Sequence, residues 1–172
     1  MDAQNMDMEF QDELKYMELQ ETLEKADNAV ALAVGTTALT CAVPIAFADA
    51  PLLVIQQVAL MATICGIFKI DIKKDALKAL AATALGAGGA TVVGKTMATN
   101  LIKLIPGPGT AVGGMISVGT AGVVTLAMGK AFIQVCMACK MGKLSESEIT
   151  SSKGKNMLKN EFRKQLKKNR EK

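Results

Sequence analysis

The stretch that decides the fold is residues 28–68, NAVALAVGTTALTCAVPIAFADAPLLVIQQVALMATICGIF. Its first 21 residues carry no charge, Asp49 then interrupts the apolar sequence, and Pro51 opens a second uncharged run of 18 residues. Uncharged runs of this length are typical of helices that are buried or that cross a membrane. Asp49 and Pro51 therefore predict the turn of an apolar helical hairpin, with Pro44 bending or shortening its first arm.

A second apolar hairpin is predicted downstream of a charged connector at 69–78. We expect one helix from about residue 73 to 104 and a last long helix from about 109 to 141. The break between them is the sequence Pro106, Gly107, Pro108, Gly109. Small residues on the last helix predict close packing against a neighbouring helix. The predicted packing glycines are Gly113, Gly114, Gly122 and Gly129.

The two ends of the chain have opposite charge. Residues 1–27 hold nine acids and two bases, and their apolar residues recur at helical spacing. This pattern predicts an acidic amphipathic helix. The helix either packs on the bundle or forms a coiled-coil contact with a partner.

Ser145 and Glu148 fit a capping box ahead of a basic C-terminal segment. Within that segment we predict contacts to anionic lipid or an acidic partner. The residues predicted for this role are Lys164, Lys167, Lys168 and Arg170.

The predicted fold class is all-α, because no alternating strand pattern occurs along the sequence. The architecture expected is two apolar, Ala/Gly-rich helical hairpins with an acidic helix before them and a basic helix after them. The predicted division is an acidic helix at 1–27, a hydrophobic helical domain at 28–150 and a basic tail at 151–172.

Composition argues against catalysis. The chain has no His and no Trp, which excludes imidazole acid–base chemistry and His-ligated metals. The four cysteines stand in apolar runs without a zinc-ligand spacing, so we expect buried, inert thiols. We therefore predict no enzyme activity, no cofactor and no metal, and no signal peptide at the acidic N-terminus. The cysteines are Cys41, Cys65, Cys136 and Cys139.

One motif points the other way. The sequence GATVVGKT at 89–96 matches a phosphate-binding loop, in which Lys95 would reach the terminal phosphate and Thr96 would hold magnesium. It follows an Ala-rich helical run instead of a strand, and no Asp follows Asp75 to serve as a second carboxylate. Nucleotide binding through Gly89, Gly94, Lys95 and Thr96 is therefore the disfavoured hypothesis.

Membrane association is the favoured one. Apolar residues contribute about −0.3 to −0.6 kcal/mol each at a helix centre, so the uncharged runs are marginal inserters. If both hairpins span, the N-terminus, the 69–78 connector and the basic tail share one side, and the positive-inside rule makes that side cytoplasmic. Deep insertion, reversible surface association and a soluble bundle or homo-oligomer all stay open. Nucleic acid is not an expected partner, because the basic tail has few aromatic residues.

Two sequence stretches resemble a known family. They are VPIAFADAP at 43–51, followed by Gln56 and Gln57, and LIPGPGT at 104–110, followed by two glycines and TLAMGKAF at 125–132. Together they resemble the bacterial GTPase-associated domain of unknown function, found behind Era-like GTPase domains and in YcjF-like membrane proteins. Ala46 stands where many relatives carry a second proline.

The resemblance implies a hydrophobic helical domain, linked to GTPases or membranes, without catalytic residues. Because this sequence carries no GTPase domain, it implies a GTPase that acts in trans. The expected function is a non-enzymatic, membrane-associated helical module that self-assembles through its glycine-rich face. The alternative is a soluble helical adaptor that buries its apolar helices by oligomerisation.

Overall fold

The computed structural model describes residues 3–40, 49–85 and 118–168, and within them the chain forms six helices. The predicted all-α fold class is confirmed, since those residues contain no strand. The helices are α1 (Ala3–Thr40), α2 (Asp49–Ile67), α3 (Lys74–Ala84), α4 (Val118–Lys140), α5 (Glu146–Ile149) and α6 (Ser152–Lys168).

Helix α1 runs without a break through the predicted boundary at 27/28. No Gly or Pro occurs between Ala3 and Val34, so nothing in the local sequence ends the helix there. Its two halves have different surroundings. Residues 7–18 are exposed, whereas Ala26 and Val30 are buried. The acidic segment is thus the projecting half of a helix whose other half belongs to the core.

Helix α2 begins at Asp49, which places Asp49 and Pro51 in its first turn instead of in a turn between helices. Proline suits the first turn, because an N–H there has no intrahelical acceptor. The predicted hairpin turn at these two residues is therefore the start of a helix. Residues 41–48, which include Pro44 and Cys41, lie outside the described residues.

Helices α2 and α4 end in the same way. Beyond α2, the N–H of Lys69 donates to the carbonyl of Gly66 (3.1 Å) and that of Ile70 to Cys65 (2.9 Å). Beyond α4, Gly142 and Lys143 repeat the pattern at 3.0 and 2.9 Å. These paired bonds form the Schellman motif, whose first residue after the helix is left-handed. Its φ is 52° at Lys69 and 70° at Gly142.

The second predicted hairpin lies only partly within the described residues. Helix α3 ends at Ala84, with Leu85 as its C-cap, where the sequence predicted a helix to about 104. Helix α4 begins at Val118, where the sequence predicted a start near 109. The predicted break at 106–109, the nucleotide loop at 89–96, and Gly113 and Gly114 all lie outside the described residues.

Helix α4 is the centre of the bundle and packs against α1, α2 and α6. Val30 of α1 lies beside Gly129 of α4, and residues 15–22 of α1 lie beside the C-terminal ends of α2 and α4. Helix α1 therefore runs antiparallel to both. Helix α3 packs across α2 and α6 and completes the core. The largest fully buried side chains include Phe68, Phe132, Phe162, Met61, Leu77 and Met128.

Candidate functional site

The basic face of α6 is the first candidate surface. Leu158, Phe162 and Leu166 point into the bundle and are buried, so the helix already uses its apolar side for folding. The opposite side, here called the basic face, is predominantly cationic, with Glu161 at its edge 3.6 Å from the Lys164 ammonium. Its exposed cations are Lys153, Arg163, Lys164, Lys167 and Lys168. Three of the four predicted lipid contacts are thus at the surface, and Arg170 lies outside the described residues.

Helix α6 is held in place by the short helix α5 before it. The predicted capping box is confirmed, since Glu148 N–H donates to the Ser145 hydroxyl (3.2 Å) and Ser145 N–H donates to the Glu148 carboxylate (2.9 Å). That backbone donor, with the Lys153 ammonium 3.0 Å away, lowers the pKa of Glu148 to about 2. Gly154 abuts the backbone carbonyl of Ile149 so closely that no Cβ fits there.

The predicted packing glycines of α4 contact different neighbours. A Cβ placed on Gly129 would overlap Val30 Cγ2 and would lie 2.9 Å from Val30 Cγ1 and 3.2 Å from Leu60 Cδ2. A Cβ placed on Gly122 would lie 3.7 Å from Val34 Cγ1, an ordinary contact. Gly129 therefore marks the closest approach of α4 to α1 and α2, whereas Gly122 has room for a side chain.

A buried polar triad joins the same three helices, and sequence reasoning missed it. Gln57 Nε2 of α2 donates to Thr125 Oγ1 of α4 (2.9 Å), whose hydroxyl donates to Thr37 Oγ1 of α1 (3.4 Å). All three side chains are buried. The Oε1 of Gln57 accepts no hydrogen bond from the described residues. A buried amide or hydroxyl group that lacks a hydrogen-bond partner costs free energy. A shift of α2 along α4 would break the bonds of the triad, so the triad restricts that movement.

The exposed half of α1 is the second candidate surface. Phe10, Leu14 and Met17 share one line along the helix by their spacing, and all three are exposed. Further along the same line of the helix, the side chains are polar. They are Glu21, Glu24 and Asn28, which line a groove of about 640 Å³ between α1 and α4. The groove also contains Leu23 and Ile133, and an ion pair of 2.7 Å joins Lys130 to Asp27 at its edge.

Three lysines from separate parts of the chain meet at one end of the bundle. Lys15, Lys69 and Lys140 line a depression of about 260 Å³ beside Phe68 and Met141. That a membrane lies against this end stays a prediction.

The described cysteines differ in their surroundings. Cys65 of α2 and Cys136 of α4 are both buried, and their mutual interaction lowers the pKa of the Cys65 thiol and raises that of Cys136. Burial also raises the pKa of the partly exposed Cys139. Since the thiolate is the reactive form, Cys136 and Cys139 are poor nucleophiles at neutral pH. Among the described residues, no cluster of three or more His, Cys, Asp or Glu side chains offers a metal site.

Helix α4 is the one described helix that is long and apolar enough to cross a membrane. Its segment Ala121–Lys140 has a mean hydropathy of 1.6, but 61% of it is already buried inside the fold. A central core helix of a soluble bundle passes the same test of length and composition. The hydropathy of α4 is therefore weak evidence for a membrane span.

A family model described as a domain of unknown function, DUF697, matches residues 1–170. The chain belongs to the DUF697 family. This agrees with the coarser part of the sequence resemblance, a domain-of-unknown-function family, and it shows no link to a GTPase. Comparison of the DUF697 chain with curated proteins and with solved structures found no match.

Proposed function

We propose that this chain is a non-enzymatic helical module that associates with anionic membrane surfaces through the basic face of α6. The supporting observation is that five exposed cations share one side of a helix whose apolar side is buried in the bundle. Lys153 and Lys164 form ion pairs with Glu148 and Glu161, and such pairs are weak because the lysine ammonium groups are exposed. Each Lys or Arg close to an anionic bilayer contributes about 1 kcal/mol of binding free energy. Several such contacts acting together produce reversible, salt-sensitive binding.

The packing of α6 favours surface association over a membrane span by α4. Helix α6 packs extensively against α4, so its lysines accompany α4 along the bundle. If α4 crossed a bilayer in this arrangement, those cations would enter hydrocarbon at a cost of about 2.5–3.5 kcal/mol each. The few strongly apolar side chains of α4 would not offset the free-energy cost of moving several cations into the hydrocarbon. The folded bundle is thus better suited to rest on the headgroups.

The test is co-sedimentation with vesicles of phosphatidylcholine alone and of phosphatidylcholine with phosphatidylserine. Replacing Lys164, Lys167 and Lys168 by Ala should weaken binding to the anionic vesicles by about 3 kcal/mol, roughly a hundredfold. The matched control replaces the exposed Lys15, Lys25 and Lys69, which lie on α1 and just beyond α2 instead of on α6, and should bind as the native chain does. Equal binding by both triple variants, or no preference for the anionic vesicles, would refute the proposal.

A soluble adaptor is the second candidate function, and the projecting acidic half of α1 favours it. Residues 7–18 add exposed apolar and acidic surface without adding to the core. A chain that stays in solution with anionic vesicles yet binds a protein partner through α1 would match this candidate. Sedimentation velocity over a range of concentrations tests the proposed homo-oligomer in the same preparation.

A GTPase that acts in trans is proposed on the sequence resemblance alone. The measurement is the GTP hydrolysis rate of an Era-like GTPase with and without the full chain. Unchanged hydrolysis together with no binding would remove that partner and would leave lipid association untouched.

A further inference from the structure

A regular seam of side chains runs along the outer face of α1. Its residues alternate in spacing between four and three, which places them in one line along a helix. The first three are apolar and the last three are polar, two of them acidic. The seam residues are Phe10, Leu14, Met17, Glu21, Glu24 and Asn28.

The seam faces away from the core of its own molecule. Helix α1 packs on the bundle through Ala26 and Val30, which lie on the opposite side from Phe10 and Met17 by helical spacing. The exposed fraction is 59% for Phe10 and 54% for Met17, so the fold leaves their apolar surface in water. Residues 7–18 alone extend for about 18 Å at 1.5 Å per residue. An exposed apolar line of this length is suited to a second helix.

The seam becomes acidic where it reaches the groove between α1 and α4. Glu21 and Glu24 lie at the rim, and Leu23 and Ile133 provide apolar contacts next to them. Lys130, the cation of the groove, is already paired with Asp27. An ion pair of 2.6 Å joins the Lys25 ammonium to the Glu21 carboxylate. Both groups are exposed, and an exposed ion pair contributes little binding free energy. The groove end of the seam is therefore negative and favours a cationic occupant.

A second copy of this chain does not satisfy both halves of the seam. Two parallel α1 helices would bring Glu13, Glu18 and Glu21 of one copy close to the same acids of the other, which is unfavourable. An antiparallel pair would set the apolar residues of one copy against Glu21 and Glu24 of the other. The basic face of α6 would complement the charge, but it has no exposed apolar residue to cover Phe10 or Met17. Among these arrangements of described surfaces, none covers both halves of the seam.

We propose that the seam of α1 docks a helix of a partner protein, with apolar contact positions against Phe10–Met17 and Lys or Arg against Glu21 and Glu24. The partner is a basic amphipathic helix, recognised by burial of its apolar half and steered by its cations. This docking surface is separate from the basic face of α6. The full chain can hold lipid and a partner helix at the same time.

The probe is a synthetic helical peptide as long as the seam, with Leu at three contact positions and Lys at the other three. Its comparison peptide carries Glu in place of Lys. Fluorescence anisotropy with the full chain should show the Lys peptide binding at least about tenfold more tightly than the Glu peptide. Replacing both Leu14 and Met17 by Ser should weaken the Lys peptide by about tenfold or more.

The matched control is Tyr16→Ser, because Tyr16 is 63% exposed on the same helix but lies off the seam. It should bind the Lys peptide as the native chain does. Since all these side chains are exposed, the variants keep the native circular dichroism. The proposal is overturned if the two peptides bind equally, if Tyr16→Ser and Leu14→Ser/Met17→Ser lose binding alike, or if the seam variant abolishes self-association of the chain. Vesicle binding by α6 is measured in parallel, and its failure leaves this result unchanged.

Discussion

Lys69 and Gly142 occupy equivalent positions two residues beyond the last residues of α2 and α4, and both adopt positive φ. The left-handed conformation costs an L-residue about 1–2 kcal/mol, whereas glycine adopts it freely. We therefore predict that Lys69→Gly raises the free energy of unfolding by about 0.5–1 kcal/mol, measured by urea denaturation. Lys69→Ala removes the same charge but keeps the strained φ, so it should show no gain. A gain in the Ala variant would attribute the effect to charge.

Gly129 and Gly122 lie two turns apart on α4 and form a natural pair of test and control. Gly129→Ala forces a methyl group into Val30, a β-branched residue with a restricted rotamer, and should destabilise the fold by about 1–3 kcal/mol. Gly122→Ala has room and gains helix propensity, so it should be neutral or stabilising by up to about 1 kcal/mol. Thermal and urea unfolding measure the stability of both variants. A change in the same direction in both variants would contradict this account.

At the scale of the element, the junction of α5 with α6 depends on an ionised Glu148. Its pKa is about 2 in the folded chain against an ordinary value of 4.5. A carboxylate whose pKa falls on folding stabilises the fold above its unfolded pKa, and this contribution disappears as the pH falls from 4.5 towards 2. We expect Glu148→Gln to lose stability at neutral pH and to lack that part of the acid dependence. Urea denaturation as a function of pH checks this against Glu146→Gln, which removes an exposed carboxylate of the same short helix outside the capping box.

The projecting half of α1 should be dispensable for folding. Because residues 7–13 are exposed and α1 meets the rest of the bundle only from about residue 15, a chain that lacks residues 1–13 should unfold within about 0.5 kcal/mol of the full chain. Its ellipticity at 222 nm should fall in proportion to the helix removed. A large drop in Tm would mean that this half packs on the bundle, as the simpler sequence interpretation proposed.

For the whole molecule, the decisive question is whether α4 lies in a protein core or in lipid. Gln134 is exposed and lies within the apolar segment Ala121–Lys140. We predict that Gln134→Cys, bound to anionic vesicles, reacts with a membrane-impermeant maleimide, with mass spectrometry locating the label at residue 134. The buried Cys65 and Cys136 serve as internal unlabelled controls. Protection of residue 134 only when vesicles are present would indicate that α4 inserts.

The candidate surfaces were predictable to different degrees. The capping box at Ser145 follows from local spacing and is as predicted. The side of α6 that is buried also corresponds to a local spacing, because Leu158, Phe162 and Leu166 are four residues apart. The triad of Gln57, Thr125 and Thr37 was not predictable, since its hydrogen bonds join residues 68 and 88 positions apart. The sequence also placed Asp49 and Pro51 in a turn, because proline at a helix start and proline in a turn look alike without the neighbouring helix.

The amino-acid sequence alone determined that this chain is all-α, that its charge is segregated to its ends, and where α5 is capped. These properties depend on residues within a turn or two of each other, so spacing and composition are sufficient. Only the tertiary structure decided which side of α1 is covered. The helix carries one apolar line at Ala26 and Val30 and another at Phe10, Leu14 and Met17. Helical spacing alone does not indicate which of the two lines is buried. Contact with α4 buries the first and leaves the second in water.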